Sequence, residues 1–133
     1  MNSCLNGALL KWRAGEYLRE ILLGDGDIAA LVSEHVYPII APENTVGAFI
    51  VYNRVKYTRD YTKFGLTADV ARIDVTIISE DYDQTLDLAE LVDAVLSGTH
   101  SSEDGLKLTF KLHDSQEGFE DFKYYQILTF DIE

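Results

Sequence analysis

Three separate stretches of this chain alternate apolar with polar residues, and this alternation constrains the fold more than any other feature. Residues 72–79, 106–113 and 124–132 place apolar side chains on most second positions. Because successive side chains of a β-strand point to opposite faces, this period of two predicts strands with one buried and one solvated face. Such strands are typical of antiparallel sheets, which can leave one face in water.

Residues 49–58 predict a fourth strand, in which apolar side chains again share one face. That face is expected to carry Phe49, Val51, Val55 and Tyr57, interrupted by Asn53. Residues 59–71 then lead to the strand at 72–79 and are interpreted as a long loop, a feature that is usually functional or mobile. Residues 36–42 contain two prolines, which exclude a central strand and predict an extended or edge segment.

Helical periodicity predicts three helices. The clearest covers residues 82–96, where apolar residues recur at i, i+3, i+4 and i+7 and Gly98 provides a stop. Residues 8–23 predict a first helix, and residues 28–33 predict a short one with Asp27 as its N-cap.

The predicted order of elements is α-α-β-β-α-β-β, with a polar loop at residues 99–105 and an acidic turn at residues 115–122. This order predicts an α+β fold, in which a mostly antiparallel sheet of four to five strands is packed on one face by two main helices. A length of 133 residues and an apolar content of 47% suit one domain spanning residues 1–133.

The net charge of −12 comes entirely from the second half of the chain. Residues 1–66 contain seven basic and seven acidic residues, whereas residues 67–133 contain four basic and sixteen acidic residues. Duplex DNA repels such a surface, so a specific DNA-binding protein is not expected. The charge is interpreted either as an aid to solubility or as an acidic surface that meets a basic partner, or DNA that must slide past.

Membrane, secreted and cysteine-dependent classes are disfavoured as well. No apolar run approaches the roughly 18 residues that a membrane helix needs, and the first residues lack the pattern of a signal peptide. Cys4 is the single cysteine, so no internal disulfide is predicted. Because no histidine lies near it in the sequence, Cys4 is interpreted as an incidental thiol rather than a nucleophile.

The histidines and acidic residues show no catalytic or metal-binding signature. His35, His100 and His113 lack a spacing such as i, i+4 that would bring two metal ligands together. An acidic stripe runs along the helix predicted at 82–96, formed by Asp83, Asp87, Glu90 and Asp93. We interpret it as a solvated face and predict no catalytic residue, cofactor or metal ion. The distant alternative is a small metal-dependent enzyme that uses the stripe with His100 or His113.

One basic and aromatic segment stands out against the acidic composition. Its candidate functional residues are Arg54, Lys56, Arg59, Tyr61, Lys63 and Phe64. Such residues bind single-stranded nucleic acid, are frequent in protein interfaces, and also occur at ordinary hairpin tips. The interface interpretation is favoured. Because a head-to-tail ring joins two different patches of one protein, the segment is expected to meet acidic residues of a second copy.

Four pieces of sequence, taken in order, resemble the tail-completion (tail-terminator) proteins of long-tailed phages and prophages. They are LLGDGDIAALV at residues 22–32, VYP at 36–38, AFIVYNRV at 48–55, and ARIDVTI at 71–77 followed by the helix predicted at 82–96. With their spacing, the resemblance covers residues 14–133.

The resemblance implies a structural protein rather than an enzyme. Such proteins form rings, commonly hexamers, at the head-proximal end of the tail. The implied partners are further copies of the chain, the tail-tube protein and the head–tail connector protein, with DNA only as passing cargo and no membrane. The implied location is the virion tail, and the bacterial host cytoplasm during assembly. The six candidate residues are then expected in the subunit contact or projecting into the ring.

Two other structural roles fit the same predicted fold. A head-closure adaptor or a tail-tube-like subunit would also be a small α+β protein that assembles with others. Growth into long tubes rather than closed rings would favour the tube-like role.

Overall fold

The computed structural model of the chain describes residues 11–101, 105 and 107–133. Along these residues there are three helices and six strands. The helices are α1 (Ala14–Leu23), α2 (Gly26–Val32) and α3 (Tyr82–Leu96), and the strands are β1 (Val36–Pro38), β2 (Phe49–Thr62), β3 (Gly65–Ser79), β4 (Gly98–Ser101), β5 (Lys107–Glu120) and β6 (Lys123–Ile132). None of these helices is long and apolar enough to cross a membrane.

The strands form one mixed sheet in the order β1-β2-β3-β6-β5-β4. β1 runs parallel to β2, and every other neighbouring pair is antiparallel. The predicted α+β class and the mostly antiparallel sheet are therefore confirmed. The predicted count of four to five strands and the order α-α-β-β-α-β-β are wrong, because the short strands β1 and β4 were not included.

The two missed strands are short and lie at the two edges of the sheet. β1 ends at Pro38 and confirms the predicted edge segment, since proline is tolerated only where no ladder hydrogen bond is needed. Most of β4 lies within the predicted polar loop at 99–105. Its Thr99 pairs with Thr109, and their hydroxyl oxygens are 3.0 Å apart. Backbone pairing and such hydroxyl contacts need no apolar side chain, so no alternation marked this strand.

Two β-hairpins are longer than the sequence predicted. β2 and β3 pair up to Thr62 and Gly65, so most of the predicted loop at 59–71 is strand. β5 and β6 pair up to Glu120 and Lys123, so most of the predicted acidic turn at 115–122 is strand as well. In both hairpins the outer residues are mainly exposed. A ladder without a buried face has no apolar alternation, which is why the period of two ended before the strands did.

The helices cover one face of the sheet, and the core lies between them. Buried positions four residues apart face the sheet from each long helix, namely Ala14, Leu18 and Leu22 in α1 and Leu88, Val92 and Leu96 in α3. The strand predicted at 72–79 buries alternate residues as expected, and α3 has the predicted bounds. A Cβ atom on Gly15 would lie 2.8 Å from the ring of Tyr52, so glycine there allows α1 to approach β2 closely.

A β-bulge at Val55 divides the face that was predicted for the strand at 49–58. Ile50 and Tyr52 are opposite buried residues of β3 and lie on the helix-covered side, whereas Phe49 and Val51 lie on the open side. The register shifts at Val55, after which Tyr57 is on the helix-covered side. The predicted grouping of Phe49 with Tyr57 is wrong, because one extra residue in a strand moves every later side chain to the other face.

The short helix α2 begins two residues earlier than predicted, and its N-cap is Asp25 rather than Asp27. The side chain of Asp25 accepts a hydrogen bond from the backbone amide of Ile28. We expect Asp25→Ala to lower the free energy of unfolding by about 1 kcal/mol, because that amide loses its partner. Asp25→Asn should keep most of the stability, and Asp27→Ala should cost less than Asp25→Ala. Urea denaturation of the three variants measures these differences, and equal losses for Asp25→Ala and Asp27→Ala would contradict the assignment.

Helix α3 starts and ends as predicted. Asp81 is its N-cap, with a side chain that accepts from the amide of Asp83. The C-cap is Ser97, and the predicted stop, Gly98, follows it directly. Gly98 has φ = 115°, a conformation that suits glycine, and it begins β4 immediately after the helix.

Candidate assembly surface

The β2–β3 hairpin projects beyond the rest of the sheet. β6 reaches only as far as Ile132, which pairs with Ala71 of β3, and Ala71 in turn pairs with Tyr57 of β2. Residues 58–70 continue past this level as two paired strands with no third strand beside them in the described part of the chain. We call residues 58–70 the arm. The sequence interpretation of residues 59–71 as a loop is therefore wrong for most of them.

The end of the arm presents aromatic and basic side chains to solvent. Tyr61 is 65% exposed and Phe64 is 89% exposed, and the ammonium group of Lys63 lies 5.2 Å from the centre of the Phe64 ring. We call these three residues the tip. When a partner covers exposed large aromatic side chains such as these, the removal of apolar surface from water stabilises the complex.

Trp12 packs against the base of the arm and binds two of the candidate arginines. The guanidinium carbon of Arg54 lies 4.3 Å from the centre of the Trp12 ring, and Arg54 Nη1 donates a hydrogen bond of 3.1 Å to the Trp12 carbonyl oxygen. The guanidinium of Arg59 lies 5.9 Å from the Trp12 ring and 5.0 Å from the ring of Tyr57. Tyr57 itself meets Trp12 edge to face, with ring centres 4.9 Å apart. Cation–π and aromatic contacts thus join the residue Trp12, just before α1, to the base of the arm.

A second set of contacts braces the same place. Lys11 Nζ lies 2.6 Å from Asp69 Oδ1, and both side chains are only 12% exposed. The Tyr57 hydroxyl donates a 2.6 Å hydrogen bond to Asp69 Oδ2. Burial, followed by this hydrogen bond, raises the pKa of Tyr57, so the phenol stays protonated and able to donate. The base of the arm is therefore fixed to the body of the protein, while the tip is not covered.

The structure separates the six candidate residues into three environments. Arg54 and Arg59 lie at the base of the arm against Trp12. Lys56 lies on the open face of the sheet, which the helices do not cover, and it is the cross-strand neighbour of Arg72. Tyr61, Lys63 and Phe64 form the tip.

The sequence analysis did not identify Lys11, Trp12 and Asp69 as part of this surface. Trp12 and Arg54 are 42 residues apart in sequence, and no periodicity connects them. The signal that could have found the pair was compositional, since Trp12 is the single tryptophan and lies in the predicted first helix outside its apolar stripe.

A row of charged residues crosses the open face of the sheet at the level of Lys56. Arg72 binds Asp131 with two hydrogen bonds, Nε to Oδ1 at 2.7 Å and Nη2 to Oδ2 at 3.2 Å. His113 Nδ1 lies 3.6 Å from the same carboxylate. The hydrogen bonds from Arg72 hold the pKa of Asp131 below its ordinary value. The ion pair ties β3 to β6 on the side that the helices do not cover.

This ion pair makes stability depend on pH in a defined window. Because the folded-state pKa of Asp131 is depressed, its contribution is fully present above the ordinary aspartate pKa of about 3.9 and is lost as pH falls through the lower folded value. The wild type should therefore be more stable than Asp131→Asn at pH 7, and this difference should shrink in acid. Urea unfolding of both proteins at pH 7 and pH 2.5 measures this difference in the free energy of unfolding. A difference that is the same at both pH values would show that Arg72 does not stabilise the ionised form of Asp131.

The acidic residues considered for catalysis or metal binding lie on the surface of α3 or form local hydrogen bonds. Asp83, Asp87 and Glu90 are exposed on α3, and Asp93 accepts a hydrogen bond from Ser97. In the described part of the chain, no three His, Cys, Asp or Glu side chains are grouped so as to hold a metal ion. Cys4 lies outside the described residues.

The histidines are likewise placed by packing. His100 Nε2 lies 2.9 Å from the carbonyl oxygen of Leu96, and its ring meets Phe110 edge to face. His35 stacks on Tyr37 with ring centres 5.9 Å apart. Since His113 faces Asp131 across the sheet, the three histidines occupy three separate surroundings.

Comparison with known proteins identifies the family. The sequence matches the family described as "Tail completion protein gp17" over residues 16–116, from α1 into β5. A chain in a solved structure described as "Virion of native gene transfer agent (GTA) particle" has a similar fold, with a TM-score of 0.66 and 18% sequence identity over 86% of this chain and 89% of that chain. No curated protein matches the chain in sequence. Because the family match covers well over half of its length, the chain belongs to the tail completion protein family, a family of phage tail proteins.

Proposed function

We propose that copies of this chain form a ring, with six as the expected number of copies. The ring closes the head-proximal end of a phage tail tube and helps to join the tail to the head. Membership of the tail completion family supports a structural role in the tail, and the fold shared with a chain of a gene transfer agent virion agrees with a place in such a particle. The main observation in support of the proposal is the arm. Its base is fixed by the Lys11–Asp69 ion pair, and its aromatic and basic tip is exposed and available for a partner. The function is assembly, and no covalent bond is made or broken.

The candidate residues have two roles in this proposal. Arg54 and Lys56 lie on the section of β2 that leads to the arm, and Arg59 lies at its base. We assign these three residues to the contact between neighbouring copies. The tip extends past the edge of the sheet, and we assign it to the contact with the tail-tube protein. This division follows from position. β6 pairs with β3 only as far as Ala71, and the tip lies beyond that level.

The tip is suited to a protein contact rather than to DNA. Covering the side chain of Phe64 stabilises a complex by about 1.5–3 kcal/mol, whereas the protein as a whole carries a net charge of −12 that repels DNA. DNA is then passing cargo, which the acidic protein does not hold. The head–tail connector protein is the partner proposed for the opposite side of the ring.

Self-assembly is tested by the mass of the protein in solution. Light scattering behind size exclusion, over a series of protein concentrations, should show one assembly of fixed mass, about six times the 15.0 kDa of the chain. Mass that grows without limit would favour the tail-tube-like role. A monomer at every concentration, both alone and with tail tubes present, would contradict the ring.

The role of the tip is tested by Phe64→Ser. We expect this variant to bind tail tubes about tenfold more weakly than the wild type, because it loses the largest apolar side chain of the tip, which corresponds to about 1.4 kcal/mol. Its unfolding should be unchanged, since Phe64 is 89% exposed. Phe122→Ser is the matched control, because Phe122 is also 89% exposed but lies in the β5–β6 turn at the other end of the sheet. Equal tube binding by the two variants would contradict the assignment.

A further inference from the structure

Both lateral edges of the sheet are only partly covered by a neighbouring strand. β2 has fourteen residues, and β1 pairs with only three of them, Ile50–Tyr52. β5 also has fourteen residues, and β4 pairs with only four, Lys107–Phe110. The remaining length of each outer edge has no paired strand among the described residues.

The uncovered edges carry backbone groups that are directed outward. At the covered end of β2, the amide of Ile50 donates to the carbonyl of His35, and the carbonyl of Tyr52 accepts from the amide of Ile39. Outward-directed groups recur at every second residue of a strand, so the next set is at Arg54. Long open edges of this kind template pairing with another chain unless a protein protects them.

The two uncovered lengths are complementary in position. The ladder assigns each residue a level across the sheet, so that Ile50 is level with Glu117, and Tyr57 is level with Phe110. We call the end of the sheet that carries the arm the upper end. β1 then occupies the lower levels beside β2, and β4 occupies the upper levels beside β5. Beside β2 the upper levels are uncovered, and beside β5 the lower levels are uncovered. No level is covered on both edges.

The directions of the short strands agree as well. β2 and β5 run antiparallel to each other, because three antiparallel pairings separate them in the sheet. β1 is parallel to β2, and β4 is antiparallel to β5, so β1 and β4 run the same way. When the β5 edge of one copy faces the β2 edge of the next, with both copies in the same orientation, β1 and β4 can occupy a single strand position one above the other.

The charges of the two edges are opposite. Past the section covered by β1, β2 carries three basic residues, Arg54, Lys56 and Arg59, against Asp60. Past the section covered by β4, β5 carries Asp114, Glu117 and Glu120 against Lys111. The two sets lie at different levels, since Arg54 is level with Leu112 and Asp114 is level with Asn53, so they do not pair one to one. Two identical edges, however, would bring charges of one sign together, which disfavours the meeting of two β2 edges or two β5 edges.

We propose that neighbouring copies of the chain join edge to edge and head to tail, with the β5 edge of one copy facing the β2 edge of the next and β1 and β4 sharing the strand position between them. This inference rests on the proposed self-assembly and specifies its interface. Each copy then supplies one basic and one acidic edge, and repetition with the same orientation produces a ring or an open spiral instead of a two-fold dimer.

Site-specific cross-linking tests the pairing. The bulge residues Val55 in β2 and His113 in β5 lie at about the same level, and both are close to half exposed. Two variants, Val55→Cys and His113→Cys, are prepared with Cys4→Ser so that each contains one cysteine. A bis-maleimide that spans two strand spacings, about 10 Å, is added to each variant alone and to their mixture, and the products are measured by gel and mass spectrometry.

The expected result is a covalent dimer in the mixture that is at least tenfold more abundant than in either variant alone. A dimer formed equally by Val55→Cys alone would overturn the proposal, because it would show that two identical β2 edges meet. Assembly of fixed mass without any cross-link in the mixture would also overturn it while leaving the ring in place. Absence of both assembly and cross-link would overturn the ring and the edge pairing together. Unfolding of both variants by urea shows whether the substitutions themselves change the fold.

Discussion

Phe130→Ala is expected to lower the free energy of unfolding by about 3–5 kcal/mol. Phe130 is 0% exposed and is one of the largest fully buried side chains of the chain. It lies in the middle of β6, opposite Ile73 of β3 on one side and Leu112 of β5 on the other. Removing the ring leaves a cavity at the centre of the sheet, where the neighbouring strands cannot move in without breaking their own pairing. The loss is a large part of the 5–15 kcal/mol that stabilises a typical protein.

Urea denaturation measures this effect, and Phe119→Ala is the control on a neighbouring strand. Phe119 is 57% exposed, and its ring contacts that of Tyr124 with centres 4.8 Å apart. We expect its replacement to cost less than about 1.5 kcal/mol, as for a single aromatic pair. If the two substitutions had similar effects, the central position of Phe130 between the sheet and the helices would be wrong.

Trp12→Ala is expected to lower the free energy of unfolding by about 2 kcal/mol, although Trp12 is 47% exposed. The edge-to-face contact with Tyr57 contributes about 0.5–1.5 kcal/mol, and the guanidinium of Arg54 adds about 0.5–1 kcal/mol as a cation over the ring. An exposed side chain without such contacts would change stability by about 0.5 kcal/mol or less. The experiment therefore asks whether the basic and aromatic segment has an internal partner.

A double-mutant cycle between Trp12→Ala and Arg54→Met isolates the contact. We expect the two changes to be non-additive by about 0.5–1 kcal/mol, and Trp12→Phe to keep part of the stability because it retains an aromatic face. Tube binding through the tip is expected to survive in Trp12→Phe. Strict additivity would mean that the contact between Arg54 and Trp12 does not contribute to stability, which would contradict its role in bracing the arm.

The parts of the fold that bury apolar residues in a regular pattern could be predicted from the sequence. The amphipathic helix α3 has its predicted bounds, Tyr82–Leu96, because its apolar stripe and its acidic N-terminus agree with each other. The inner sections of β3 and β6 were found through their alternation, which reflects one face packed against the helices. The α+β class followed from these elements alone.

Features that depend on backbone pairing could not be predicted in the same way. β4 is held by hydrogen bonds to β5 and contains no apolar residue, so its sequence resembles that of a loop. The arm continues the β2–β3 ladder, and most of its described side chains are exposed, so no buried apolar face marked it in the sequence. The bulge at Val55 shifts the register through the backbone, which the alternation in the sequence did not show.

The candidate residues were identified as a group, but their division required the structure. The basic and aromatic segment is at a distinctive place, on the only hairpin of the described chain that extends far past its neighbouring strands. Its arginines bind Trp12 from another element, and sequence analysis cannot detect a contact across 42 residues. The interface proposed for the segment remains a prediction, now narrowed to a strand edge for Arg54, Lys56 and Arg59 and to the tip for Tyr61, Lys63 and Phe64.

Imaging of tail tubes with the purified protein tests the ring cap most directly. Tubes assembled from the tail-tube protein are mixed with this protein and viewed by negative-stain electron microscopy. The expected result is a ring-shaped density on one end of each tube, with tubes that no longer elongate when more tube protein is added. Tubes that keep growing with bare ends, or tubes extended by this chain itself, would contradict the proposal that it completes the tail.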